Sequence, residues 1–315
     1  MSPTGCVATT KPTLSIVVPV YHEAENIQPF LQRIEGALAL MTITYEIIFC
    51  LDPSADNTQT IIETEINRNP NIKLLVFSRR FGQPAATMAG ILYCQGNACV
   101  VIDVDLQDPP ELIPALWQKL QTGYAVVYAQ RRSRQGETLI KKLITHLGYK
   151  IINRLTDVNI PRNTGDFRII SRQIIEELRR LNETHNFLRG LVAFVGFKQT
   201  AILYDRASRH KGQGHYNRFI GSLKIAANGL IAFSNRPLQL IILLGAILLG
   251  SSCVFAIITK FAGGNLSFGI IVSFFSGIQL FCLGLMGEYV GRIYDEVKRR
   301  PLYIIDQVIT HPSVK

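Results

Sequence analysis

Two uncharged stretches constrain this chain more than any other feature. Leu238 to Ile258 and Leu266 to Met286 contain no Asp, Glu, Lys or Arg, and each offers about twenty residues, the length a helix needs to cross the hydrocarbon core of a bilayer. Lys260 to Asn265 is a short polar turn between them. The pattern predicts two transmembrane helices, which put both ends of the pair on one side. Arg206, Arg209, Lys211, Arg218, Lys224 and Arg236 precede the pair and Arg292, Lys298, Arg299 and Arg300 follow it, against a single Lys260 between. The positive-inside rule then places the N-terminal part and the C-terminal tail in the cytoplasm. Small residues at Gly245, Gly250, Ser251, Gly269, Ser273, Gly277 and Gly284 allow close helix packing, so a homo-oligomer through these helices is expected. An apolar fraction of 48% and a mean hydropathy of +0.20 agree with part of the chain lying in lipid. The opening residues, MSPTGCVATTKPT, have no apolar core and predict no cleavable signal peptide.

Upstream the period changes. Leu14–Val20 (LSIVVPV), Tyr45–Cys50 and Ile72–Phe77 are short β-branched or apolar runs. Each leads through a loop into a helical pattern: Ile27, Leu31, Ile34 and Leu38 after the first, Gln59 to Asn67 after the second, and a helix from near Pro84 after the third. A fourth strand, Ala98–Ile102, runs into VDLQDPPE, and a fifth is predicted at Ala125–Ala129. Strand-loop-helix units of this kind predict an α/β fold with a doubly wound, mainly parallel sheet. The six scattered cysteines contain no CxxC or Cys/His cluster, and predict buried reduced thiols rather than zinc.

In an open α/β sheet ligands bind at the carboxyl ends of the strands. Three strands end in acids: Glu23 and Glu25, Asp52 and Asp56, Asp103 and Asp105. There is no G-x-G-x-x-G after the first strand and no P-loop, which argues against a dinucleotide-binding dehydrogenase or a P-loop nucleotidase. Alternation would point Asp103 and Asp105 to one side, close enough to share a cation, and hard oxygens suit Mg²⁺ or Mn²⁺. Gln107 is a further oxygen donor. Such a crevice suits a base, a ribose and a metal-bound pyrophosphate.

The order SIVVPVYHEAENI, LDPSADNT, SRRFGQ, VDLQDPPE and TGDFRIISR, with GEYVGRIYDEVKRRPLY near the C-terminus, resembles the family 2 glycosyltransferases of GT-A fold. Within them it is most similar to the polyprenyl-phosphate sugar synthases. The resemblance implies that Pro19, Tyr21, Glu23, Asp52, Arg79, Gln83 and Asp103 bind the nucleotide sugar, and that Asp103, Asp105 and Gln107 hold the metal on the diphosphate. It makes Asp166, in TGDFR, the acid nearest the acceptor, and it implies an inverting single displacement with a nucleotide sugar as donor and polyprenyl phosphate as acceptor. Resemblance to bacterial members favours UDP-glucose, with GDP-mannose second. One departure is plain: the family usually has two adjacent aspartates after its second strand, where this chain has Leu51 and Asp52. A polysaccharide synthase usually carries Q-x-x-R-W, and the only tryptophan here is Trp117 in LWQKL. A membrane-tethered binding protein with a decayed site is the non-enzymatic alternative.

Basic residues gather in two places. Arg131, Arg132 and Arg134 precede an apolar stripe at Leu139, Leu143, Leu147, Ile151 and Leu155 flanked by Lys141, Lys142, Lys150 and Arg154, the pattern of a basic amphipathic helix at a lipid surface or packed on the sheet. Arg206, Arg209, His210 and Lys211 lie ahead of a second amphipathic stretch that starts at Phe219. Arginine's planar fork suits phosphate, so Arg131, Arg132, Arg134, Arg206 and Arg209 are the candidates for acceptor phosphate. The net charge of +10 concentrates beside the membrane segments, where anionic lipid is a simpler partner than nucleic acid. Asp157 is read as a turn residue. The expected organisation is a cytosolic glycosyltransferase domain over 1–205, a basic loop and juxtamembrane helix over 206–236, two transmembrane helices over 237–287 and a cytosolic tail over 288–315.

Overall fold

The computed structural model describes residues 11–132, 164–181, 183, 187–206, 234, 236–262 and 268–314. Arg134, the Leu139–Leu155 stripe, Asp157, Arg209, His210, Lys211 and the stretch from Phe219 lie outside the described residues. The chain divides into two compact units: Met1–Lys142 with Ile160–Tyr216 and Pro301–Lys315, and Leu143–Asn159 with Asn217–Arg300.

The first unit is built on an eight-stranded sheet ordered β7-β5-β6-β4-β1-β2-β3-β8. At its centre β1 (Leu14–Val20) pairs in parallel with β2 (Tyr45–Leu51) on one side and β4 (Ala98–Val101) on the other, and β2 pairs in parallel with β3 (Ile72–Phe77). Every residue of β1 is buried, as expected of a strand covered on both faces. Helix α1 (Ala24–Ala39) turns Ile27, Phe30, Leu31, Ile34 and Leu38 inward, a spacing of three and four residues that makes one apolar face. Helices α2 (Thr58–Arg68) and α3 (Gln83–Tyr93) follow β2 and β3. Helix α3 is rich in small residues because it lies close to the sheet: a Cβ on Gly90 would stand 2.3 Å from Val17 Cγ1 and 2.7 Å from Cys50 Sγ. A 3-10 turn and α4 (Ile113–Gln121) lead to β5 (Val126–Arg131).

The parallel pattern stops at β4. Strand β6 (Thr164–Ser171) is antiparallel to both β4 and β5, and β7 (Gln199–Tyr204) is parallel to β5. Between them lie α5 (Arg172–Arg180) and α6 (Leu188–Val195). At the other edge β8 (Ile305–Thr310) pairs antiparallel with β3, so residues read from sequence only as a tail complete the sheet. Cys50, Cys94 and Cys99 are free and buried, as the cysteine pattern predicted.

The second unit contains two long helices, α7 (Arg236–Ala262) and α8 (Phe268–Lys298). Among the described residues one stretch, Phe274–Lys298, is long and apolar enough to cross a membrane by length and composition, and none of it is buried. In α7 the corresponding apolar stretch is the shorter Arg236–Leu248. Pro237, Leu240 and Ile241 face Phe281, Cys282 and Leu285 across a small apolar cavity.

Candidate functional site

Because β4, β1, β2 and β3 run parallel, the turns after them meet at one edge of the sheet, and the antiparallel β6 brings its first residues to the same edge. The acids predicted at three strand ends therefore lie at one end of the sheet but in two groups: Glu23, Glu25 and Asp56 line one open cleft, whereas Asp103 and Asp105 neighbour Asp108 and Asp166. The reason for Asp103 and Asp105 differs from the one expected. β4 ends at Val101, so strand alternation does not orient them; they sit in a turn where buried Leu106 takes a left-handed φ of 59°. Asp105 is buried, and its Oδ1 accepts the Gln107 backbone N–H at 3.1 Å. Asp103 is half-buried, with Oδ1 accepting from Gln83 Nε2 at 2.8 Å. Burial, and then the charges of Asp166, Asp105 and Asp108, push the Asp103 carboxyl up to about 8 against the opposing pull of Arg206.

That upward shift reports carboxylates crowded in a poorly solvated place, a situation a divalent cation relieves. Among the described residues no cluster of three or more His, Cys, Asp or Glu side chains is poised for a metal. The donors present are the Asp103 and Asp105 pair with the Gln107 amide two residues on. This set fits Mg²⁺ or Mn²⁺, which take one or two carboxylates and fill the remaining positions with waters and substrate phosphates.

Asp52 is buried, and both oxygens are committed: Oδ1 accepts the Phe81 N–H at 2.9 Å and Oδ2 the Gly82 N–H at 2.8 Å. It ties down the loop that carries Arg79 and Arg80, where Gly82 at φ 90° precedes α3. The expected contact to a base would be additional to this role. Leu51, at the position where the family resemblance leads one to expect aspartate, is 1% exposed in the apolar core. In this fold the side chain at that position packs and does not reach the crevice. Arg80 stacks over Tyr21, its guanidinium carbon 4.0 Å from the ring centre, and donates to the Tyr21 hydroxyl at 3.3 Å. Arg79 lies over Phe81 at 4.1 Å. Pro19 is buried in β1 opposite Cys50. Glu23 accepts from Asn26 Nδ2 and lines, with His22, Glu25, Asp56 and Asn57, an open cleft of about 830 Å³. Asp56 fixes that cleft by accepting from Ser54 and Thr58 hydroxyls, each at 2.7 Å; burial would raise its pKa, but these hydrogen bonds lower it overall.

Asp166 stands on β6 with its side chain about a third exposed. Its Oδ1 accepts from Arg189 Nε at 3.0 Å and lies 3.5 Å from Arg168 Nη2. Burial alone would raise this carboxyl; the Arg189 and Arg168 charges win and hold it below its ordinary range. Neither arginine was singled out by the sequence: Arg189 on α6 reaches Asp166 only through tertiary packing, whereas Arg168 stands two residues along β6. Arg168 is itself fully buried, donates Nη2 to the Gly165 carbonyl at 2.8 Å, and has burial lowering its own pKa. Of the expected phosphate-binding arginines, Arg131 and Arg206 converge on Asp108, Arg131 also meeting Tyr204, whereas Arg132 forms an exposed ion pair with Asp205 at 3.5 Å. Tyr204 was missed, and Asp108, legible as a third acid after the fourth strand, was given no role; DLQDPP reads as a turn, and only the fold brings β7 beside it.

Comparison with known proteins places these features in context. Residues 15–179 match Glycosyl transferase family 2. An uncharacterized glycosyltransferase of Synechocystis sp. is 42% identical over 94% of this chain and 95% of its own. The SfII prophage-derived bactoprenol glucosyl transferase of Shigella flexneri is 36% identical over 93% of this chain and 97% of its own. Among solved structures, a mannosyltransferase from Pyrobaculum calidifontis in complex with GDP-Man and Mn2+ matches 92% of this chain and 88% of that one, at 15% identity and a TM-score of 0.50. That likeness is one of fold.

Proposed function

Since the chain belongs to glycosyl transferase family 2, we propose that it transfers glucose from UDP-glucose to a polyprenyl phosphate, inverting the anomeric centre, at the cytoplasmic face of a membrane that its two C-terminal helices cross. The observation that carries the reading is the meeting of Asp103, Asp105 and Asp166 with Arg131, Arg189 and Arg206 at one sheet edge. Near full-length similarity to a bactoprenol glucosyl transferase supports the acceptor class. Mg²⁺ or Mn²⁺ held by Asp103, Asp105 and Gln107 would supply the Lewis acidity that neutralises a leaving diphosphate.

The chain's own residues account for the remaining demands. Asp52 and Gln83 order the nucleotide side of the crevice. A phosphate monoester has a second pKa of about 6, so the acceptor arrives largely ionised and needs little help from a base. Asp166, anchored by Arg189 and held ionised, is suited to orienting groups rather than to taking a proton. The arginines offset repulsion between two anionic substrates. The domain at 1–205, the basic segment at 206–236, the spans within 237–287, the tail at 288–315 and assembly through the helices belong to the same proposal.

The test is transfer of radiolabelled sugar from a panel of UDP- and GDP-sugars into organic-extractable lipid by membranes containing the protein, with Mg²⁺, with Mn²⁺ and with chelator. Metal-dependent, acid-labile lipid label from UDP-glucose is the expected result. No lipid label from any donor, with nucleotide binding intact, leaves a membrane-tethered nucleotide-sugar-binding protein instead.

A further inference from the structure

Asp108 is 1% exposed, yet it follows the metal-binding turn and is surrounded by cations. Its Oδ1 accepts a short hydrogen bond from the Tyr204 hydroxyl, which in turn accepts from Arg131 Nε at 3.3 Å. The same Oδ1 lies 3.3 Å from Arg206 Nε and 3.8 Å from Arg131 Nη2. Charge-assisted N–H to carboxylate bonds are about 2.7–2.9 Å long, so at 3.3 and 3.8 Å this carboxylate attracts both guanidinium groups mainly through charge, while Arg131 Nε is engaged with Tyr204. Burial and Asp108 push the Tyr204 hydroxyl up to about 12; it stays neutral and adds no charge. Asp108 thus draws two guanidiniums together, and these also feel the neighbouring acids, Arg206 that of Asp103 and Arg131 that of Asp166.

Gly165 lies against the Arg131 guanidinium. A Cβ at Gly165 would stand 2.9 Å from Arg131 Nη2, so the glycine beside Asp166 leaves the space the guanidinium fills. Two like charges drawn together by a buried carboxylate and set by a tyrosine are a prepared receptor for a doubly charged oxyanion.

We propose that Asp108, together with Tyr204, is a positioning residue that presents Arg131 and Arg206 as a paired site for a substrate phosphate. The inference rests on the transferase reading in treating that phosphate as part of a substrate, either the acceptor's monoester or the donor's diphosphate. In both cases the carboxylate acts through the arginines and does not touch the reacting atoms.

The experiment uses the full chain in detergent with Mn²⁺ and measures binding of farnesyl monophosphate and of UDP by calorimetry, beside KM and kcat for each substrate. D108N should weaken one of the two ligands about tenfold, or about 1.4 kcal/mol, as the two guanidiniums lose the charge that holds them together, while D108E restores part of the loss. The matching KM should rise more than kcat falls. A loss confined to farnesyl phosphate assigns the site to the acceptor, and a loss confined to UDP assigns it to the donor. Unchanged affinity for both, tighter binding of either, or a fall in kcat alone would overturn the proposal, the second because it would make Asp108 a competitor of the anion. If D108N does not fold, Y204F removes only the hydroxyl, and its expected loss is about threefold on the same ligand. Should the wild-type protein transfer no sugar to lipid while D108N still weakens phosphate binding, the transferase reading fails and the phosphate site stands.

Discussion

Replacing Asp52 with Asn isolates what the carboxylate does for the loop after β3. The change keeps shape and removes charge. In the native protein both oxygens accept backbone N–H groups, from Phe81 at 2.9 Å and Gly82 at 2.8 Å, and hydrogen bonds to a charged group contribute about 1.5–3 kcal/mol each. An amide keeps one acceptor, now neutral, and turns an N–H₂ toward the other N–H. The closed loop should therefore lose about 2–4 kcal/mol, which raises its open population about 30- to 900-fold. Arg79 and Arg80 lie in this loop, so tryptic cleavage there reports opening, and Gln83, which holds Asp103 at 2.8 Å, carries the disturbance into the turn after β4. We expect D52N to be cut at least tenfold faster at these arginines in the absence of nucleotide, with the KM for UDP-glucose raised and cleavage slowed again by UDP. An unchanged cleavage rate, combined with a new preference for cytidine over uridine diphosphate, would refute this account. It would show that Asp52 reads the base and that the loop does not depend on it.

Two further substitutions probe other parts of the same unit. Arg189→Gln removes the cation that holds Asp166 below its ordinary range, and burial then raises that carboxyl; the acidic limb of kcat/KM should move to higher pH, and an unmoved limb would detach Arg189 from Asp166. Glu46 is 3% exposed and accepts from Ser15 at 2.6 Å, from the Gln95 N–H at 2.7 Å and from Lys73 at 2.8 Å. Glu46→Ala should destabilise the protein by about 3–5 kcal/mol, the cost of breaking a buried pair by removing one partner, seen as an earlier thermal transition with the KM values little changed.

The sequence foretold the centre of the sheet because β1, β2 and β3 are runs of apolar and β-branched residues whose burial on both faces leaves little choice of state. β4 was legible as well: the strand runs Ala98–Val101, and the buried Ile102 still donates its N–H to the Val17 carbonyl at 3.1 Å. β8 was illegible: IDQVIT alternates polar and apolar residues weakly, and its strand state comes from pairing with β3. At the site, single acids at strand ends were legible because strand order alone gathers them. Arg189, Tyr204 and the role of Asp108 were not, since each matters through a partner at least 23 residues away in the chain. Leu51 looked like a missing acid and is a core residue.

The position of β8 bears on how the protein is made. Ser78 donates its N–H to the Ile304 carbonyl at 3.0 Å, and Tyr303 meets Phe77 edge to face, so a segment that leaves the ribosome after both long helices supports the first residue of the loop that Asp52 ties down. Until then the β3 edge has no partner on that side, and an open strand edge invites pairing with other chains. During synthesis both long helices must emerge before the sheet can be finished. Competence to bind a nucleotide sugar should therefore be acquired late, after both long helices have been produced, and a nascent chain stalled before Pro301 should bind donor poorly even though nearly every side chain of its crevice is already present.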